Sequence, residues 1–124
     1  MTQQKLIFKL SFLTAGLNGD NGLIREHYSK AKKMKDKLKL IFLSQKPKGM
    51  RVIDEPVRIV YKRYTSVYMD WDNAAASFKH IGDALQDALI ILDDNPSIVK
   101  EFIPQQIKVP RKEARTEIEI EFLN

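Results

Sequence analysis

Three well-separated stretches of this chain alternate inward apolar side chains with mostly polar ones at a period of two, and that pattern leaves few folds open. Leu6, Phe8, Leu10 and Phe12 alternate with Lys5, Ile7, Lys9 and Ser11; Val57, Ile59 and Tyr61 alternate with Arg58, Val60 and Lys62; Ile118, Ile120 and Phe122 alternate with Glu117, Glu119 and Glu121. Successive residues of a strand point to opposite faces, so each stretch predicts a strand with one face turned inward. The last is expected to keep its glutamates on a solvated face. Thr65-Ser66-Val67-Tyr68-Met69 continues the second strand with β-favouring residues, and the sequence suits a hairpin near Tyr64 or Thr65. Residues 98–109 also read as extended, despite Pro104.

Between these stretches the period lengthens. From residue 23 to 43, Ile24, Tyr28, Ala31, Met34, Leu38 and Ile41 recur at steps of three or four, the repeat of an amphipathic helix. A second helix is predicted from 73 to 92, with Asn73 as N-cap and Phe78, Ile81, Leu85, Ala88, Leu89 and Leu92 on one face, mildly weakened by Gly82. Residues 14–22 hold two Asn-Gly steps and three glycines and read as an exposed loop. Residues 44–56, with Lys46-Pro47-Lys48-Gly49, read as a connection with room for a short extended segment. The expectation is an α/β (α+β) fold: one small domain over residues 1–124, a mixed β-sheet packed with two main helices.

Cysteine is absent, which excludes a disulfide scaffold and a thiolate zinc site, and the two histidines, His27 and His80, lie far apart. Any bound metal would therefore be held by oxygen. No apolar run approaches the roughly 20 residues needed to span a bilayer, and the start, Met-Thr-Gln-Gln-Lys, leads into a strand. A soluble, cytoplasmic protein is expected, with no membrane partner. The net charge of +5 is unevenly spread: residues 1–63 carry 15 of the 21 Lys and Arg and 5 of the 16 Asp and Glu. A basic first half suits a polyanion. Lys30, Lys32, Lys33, Lys37 and Lys39 decorate the outer face of the first helix, where they could be solvated, could meet phosphate or could meet a membrane surface.

In the acidic half the informative stretch is Val67-Tyr68-Met69-Asp70-Trp71-Asp72-Asn73. On a strand, Asp70 and Asp72 would project together, roughly 6–7 Å apart, while Val67, Met69 and Trp71 packed into the core. Two like charges so placed call for a cation. Asp93 and Asp94 follow the second helix, and a helix packed back against the sheet could return one of them to the pair. Carboxylates of this kind suit Mg²⁺, with Mn²⁺ as the alternative, and such a site activates water for phosphodiester hydrolysis. Lys79 could add a positive charge for the developing anion. Each piece also has an ordinary reading: Asp93-Asp94-Asn95-Pro96 as a turn, Lys79 as the i,i+4 partner of Asp83, the glutamate stripe as a solvated strand face.

The order Asp70-Trp71-Asp72-Asn73, then Ser77-Phe78-Lys79-His80-Ile81-Gly82-Asp83-Ala84-Leu85, then Ile90-Ile91-Leu92-Asp93-Asp94-Asn95 resembles the RusA family of Holliday-junction resolvases. That family's signature runs D-x-D-N, a Lys-bearing helix ending in D-A-L, then D-D, and the match spans about residues 70–99. The resemblance implies a RusA-like small mixed fold and a homodimer that uses Mg²⁺ to make paired, symmetrical nicks across a four-way DNA junction. It makes Asp70, Asp72 and Asp94 the metal-holding and catalytic carboxylates, Asp93 a further candidate ligand and Lys79 the helix lysine.

Three departures accompany the match. Ala74-Ala75-Ala76 lengthens the step from Asn73 to Lys79 by about three residues. Ala88-Leu89 stands where members often have a glycine before the D-D turn, and Ser66-Val67-Tyr68-Met69 where members carry a basic cluster. Contacts to branched DNA are then expected from Lys62, Arg63, Lys30, Lys33 and Lys37, giving affinity and salt dependence. The rival expectations are a non-catalytic, structure-selective DNA-binding protein on the same fold and a partner-binding protein without DNA affinity.

Overall fold

The computed structural model describes residues 5–16 and 28–123. Four strands, β1 (Lys5–Leu10), β2 (Val57–Thr65), β3 (Val99–Lys108) and β4 (Arg115–Phe122), form one sheet in the order β1-β4-β2-β3. β4 runs antiparallel to both β1 and β2, whereas β2 and β3 are parallel, so the sheet is mixed, as expected. A parallel pair cannot be closed by a tight turn and needs a crossover of a dozen residues or more. Here the crossover is helical, α2 (Trp71–Ala76) and α3 (Lys79–Asp87). The expected hairpin near Tyr64 or Thr65 is therefore absent, and the chain leaves the sheet at Thr65. Pro104 is tolerated because β3 is an edge strand.

One face of the sheet is covered by α3 and by α1 (Tyr28–Gln45). Register places Phe8, Ile118, Tyr61 and Pro104 in one row of this face, with Leu6, Ile120, Ile59 and Phe102 in the next. Leu38 and Phe42 of α1 and Ile81 and Leu85 of α3 complete the core at 0% exposure. The Phe8 and Phe42 rings meet edge to face, 5.7 Å apart. Of the inward residues expected on the first helix, Leu38 is buried while Met34 and Ile41 pack partly buried against the core. Tyr28 stands exposed at the helix start, and Ile24 lies outside the described residues. Among the described residues no helix is long and apolar enough to cross a membrane.

The opposite face is a charge ladder rather than a solvated stripe. Its first row reads Lys5, Glu121, Arg58, Glu101 across the four strands, alternating in sign. Arg58 binds Glu101 at 2.8 Å and Glu121 at 3.1 Å, and Glu119, only 6% exposed, is held by Lys5 at 2.8 Å and by Lys62 at 2.5 Å. Burial by itself would raise the Glu119 carboxyl, but the two lysines together hold it below the usual range. Cations of the basic first half thus neutralise acids of the second within the sheet.

The second helix is shorter and more broken than its periodicity predicts. It begins at Trp71, with Asp70 and not Asn73 at the N-cap position, and breaks at Ser77, whose hydroxyl donates to the Ala74 carbonyl at 2.6 Å. It ends at Asp87, and Leu89 then takes a left-handed φ of 56°. The chain turns there, so Leu89 and Leu92 are exposed, while Ile90 and Ile91 are buried and Ile91 bridges Ile53 of the 44–56 connection.

Candidate metal and nucleic-acid site

The site is built where β2 hands over to α2. β2 stops at Thr65 because its partners stop there too, at Lys108 on one side and Arg115 on the other. No ladder remains for a longer strand, whatever the β-preference of the next residues. Thr65 instead folds the chain locally: its hydroxyl donates to the Val67 carbonyl at 2.8 Å and accepts from the Val67 amide at 3.1 Å. Asp70 therefore precedes a helix and Asp72 lies in its first turn, which corrects the expectation that both project from a strand. Val67 and Trp71, expected in the core, are 74% and 58% exposed, and Met69 is only partly buried.

From Asp72 the helical path leads to the cleft. Ala75 lies three residues on in the same short helix, and Lys79 opens α3 just beyond the break at Ser77. Ala75, Phe78, Lys79, Asp94, Val99 and Phe102 line a cleft of about 300 Å³. Its floor is aromatic, with the rings of Phe78 and Phe102 4.8 Å apart and Tyr61 behind them. The turn at Leu89 carries the chain back so that an Asp94 carboxylate oxygen lies 3.5 Å from where a side chain on Gly82 would begin. Asp93 serves its own turn, accepting from the Asn95 amide at 3.2 Å. Of the two, Asp94 is the one on the cleft.

Lys79 and Asp94 are thus brought together, with Asp72 one helical turn beyond Ala75. The full expected set is not gathered: among the described residues no three acidic or histidine side chains come close enough to hold a metal ion. In donor chemistry the aspartates do fit a hard cation. Asp70, Asp72 and Asp94 are exposed and, among the described residues, no ion pair neutralises them, in contrast to the glutamates of the sheet. Lys79 does meet Asp83, at 3.7 Å, but Lys35 holds the same carboxylate at 3.4 Å and Lys79 stays 63% exposed.

The expected phosphate-binding residues divide. Arg63 is buried at 4% exposure, on the helix-covered face, and cannot reach a phosphate. Its Nη1 donates to the Thr14 carbonyl at 2.8 Å, to the Ser77 hydroxyl at 2.9 Å and to the Tyr61 hydroxyl at 3.2 Å. Thr14 is buried as well, and Gly16 packs against Asn73, so this end of the predicted exposed loop is docked on α2; residues 17–22 lie outside the described residues. Lys62 is committed to Glu119. Lys30, Lys33 and Lys37 are exposed on one side of α1, with Lys37 4.2 Å above the Phe12 ring. His80 is buried.

Sequence reasoning missed two features. Gln106 of β3 pins the approach to Asp70, accepting from the Met69 amide at 2.9 Å and donating to its carbonyl at 2.8 Å. Beside it, Lys108, Arg111 and Lys112 form an exposed basic turn, tied to β2 where the Val109 amide donates to the Thr65 carbonyl. The run Lys-Val-Pro-Arg-Lys was a visible signal for that turn. No family model matches the chain, and no curated protein is significantly similar to it.

Proposed function

We propose that this chain is a metal-dependent endodeoxyribonuclease that acts on branched DNA and resolves four-way junctions by paired nicks. The observation that carries the reading is the return of Asp94 to the cleft that holds Lys79. That return depends on the left-handed backbone at Leu89, the place where the resembled family often has a glycine. A departure in sequence is therefore matched by the backbone conformation a glycine would supply.

Asp70, Asp72 and Asp94, with Asp93 adjacent, are the carboxylates that would hold Mg²⁺ or Mn²⁺ once drawn together on it from the separated positions they occupy here, and the ion would supply an activated water and charge stabilisation at the phosphate. The chain's own residues do the rest. Lys79, exposed and only loosely paired, offers an ammonium to the charge that builds on the phosphoryl oxygens. Lys30, Lys33 and Lys37 supply sequence-independent attraction to the backbone. A homodimer would present one such site to each of two strands.

The separation of the three aspartates favours a second reading, a structure-selective DNA-binding protein without catalysis. Cleavage of a labelled four-way junction and a matched linear duplex, in Mg²⁺ or EDTA, separates the two. Paired Mg²⁺-dependent nicks confined to the junction and abolished by Asp72→Asn and Asp94→Asn support the nuclease. Tight junction binding with no cleavage in either Mg²⁺ or Mn²⁺ moves the assignment to the second reading.

A further inference from the structure

Beside the aspartates the surface carries large apolar side chains that the fold leaves uncovered. Tyr68 is 56% exposed and Trp71 58%, and they bracket Met69 and Asp70. Three residues of chain reach at most about 11 Å, so the two rings lie within a few nucleotides of one another. Their backbone is not loose: Gln106 grips Met69 by two hydrogen bonds, and Trp71 opens α2. Exposed aromatic surface held on a fixed backbone points to a ligand with a flat face.

The charges around the rings narrow that ligand. Lys108 places its ammonium 5.2 Å from the centre of the Tyr68 ring, and Arg111 and Lys112 follow it, exposed, in the next turn of the chain. Among the described residues none of these three cations is taken up by an ion pair, whereas nearby Arg115 is spent on the Tyr64 ring and Glu117. Asp70 and Asp72, which flank Trp71 in the chain, are exposed carboxylates that attract no phosphate while they hold no cation. A strand laid across this surface would put its phosphates on the basic turn and its bases on the rings. That division of labour, cations for the backbone and aromatic faces for the bases, is the one used for unpaired nucleic acid.

We propose that Tyr68 and Trp71 form a stacking platform for unpaired nucleobases of branched DNA, with Lys108, Arg111 and Lys112 holding the adjoining phosphates. The platform rests on the reading of DNA as ligand and adds a determinant of substrate choice: bases freed at a branch point can stack there, and bases inside a duplex cannot.

Trp71 is the sole tryptophan, so its fluorescence reports directly on the platform. The full chain, in EDTA so that nothing is cut, is titrated with a single-stranded oligothymidylate, a four-way junction and a blunt linear duplex. Labelled-DNA anisotropy follows binding in the same samples. Strong quenching by the single strand and the junction, with little by the duplex, supports the platform. So does a loss of about tenfold in single-strand affinity for Tyr68→Ala and for Trp71→Ala, the size expected for one stacked base. Both side chains are exposed, and an unchanged melting temperature shows that the variants fold. Binding by anisotropy without quenching, equal quenching by duplex, or unaltered affinity in both variants overturns the platform and leaves the nuclease reading standing. Quenching by phosphatidylserine vesicles and not by DNA overturns it in favour of a membrane surface. Quenching by single strands with no Mg²⁺-dependent cleavage supports the platform while the nuclease reading fails.

Discussion

Gln106 and Met69 lie 37 positions apart in sequence and are joined like neighbouring strands, the Gln106 amide group taking both backbone hydrogen bonds of Met69. The connection lies one residue before Asp70. It transfers the rigidity of β3 to the segment that sets the first carboxylate in place. Gln106→Ala should cost about 1–2 kcal/mol of stability, as expected for two net hydrogen bonds. It should lower the single-turnover rate of junction cleavage more than junction affinity. Gln106→Glu keeps the acceptor and loses the donor, and should fall between wild type and Gln106→Ala in urea unfolding and in rate.

Arg63 makes the complementary case, a cation that the charge pattern offers to DNA and the fold uses internally. Arg63→Met should destabilise by about 2–4 kcal/mol, because three buried acceptors lose their shared donor. Lys33→Ala should leave stability nearly unchanged and reduce the slope of log affinity against log salt by about 0.9, the value for one phosphate contact. A chemical denaturation curve and a salt titration of junction binding measure the two effects.

Glu119 predicts how stability follows pH. Its carboxyl lies below the ordinary value near 4.5 in the folded chain, so its contribution is present above that value and is lost as pH falls through the lowered folded value. Lys62, raised above 10.5 chiefly by its hydrogen bond to Glu119, contributes below that value and loses its contribution as pH rises through its raised one. Glu119→Gln should cost about 1–2 kcal/mol at neutral pH, between the worth of a surface pair and a fully buried one. The gap from wild type should close in strong acid, where both side chains are neutral. Urea unfolding across the pH range checks this.

Leu89 holds a left-handed backbone at φ 56° with its side chain 62% exposed, so it bears strain with little burial in return. Leu89→Gly should stabilise the chain by about 0.5–1 kcal/mol, net of the extra freedom of glycine when unfolded. It should leave cleavage intact. A melting temperature about 2–4 °C higher is the expected reading; a lower one would show that the leucine side chain contributes more than its exposure suggests.

The strands were legible in the sequence wherever alternation recorded a buried face: Phe8 and Leu10, Ile59 and Tyr61, Ile118 and Ile120 all point inward. The β-favouring run after Thr65 was misleading because preference for extended backbone carries no information about whether a partner strand is present. The helix after Asp70 read as one unit because the period of Phe78, Ile81 and Leu85 begins only after Ser77 and so carries no record of the break there. Leu89 and Leu92 extend that period in sequence after the backbone has turned away. At the candidate site the order of Asp70, Asp72, Lys79 and Asp94 was legible, whereas the turn at Leu89 that sets Lys79 and Asp94 on one cleft was not. Arg63 was not, since its burial depends on three oxygens from Thr14, Tyr61 and Ser77 that only the folded chain brings together.

Each margin of the sheet carries one feature that hinders a newcomer. On β1 the Gln45 side chain bonds the amide and the carbonyl of Lys9, and on β3 Pro104 removes a donor midway along the strand. A copy of this chain that offered a strand to either margin would meet one occupied pair of backbone groups on β1 and one missing donor on β3. Growth of the sheet from molecule to molecule, the route to fibrils, is thereby discouraged. If two copies pair to meet a two-fold junction, the charged sheet face offers them an alternating pattern of sign that can select a single alignment.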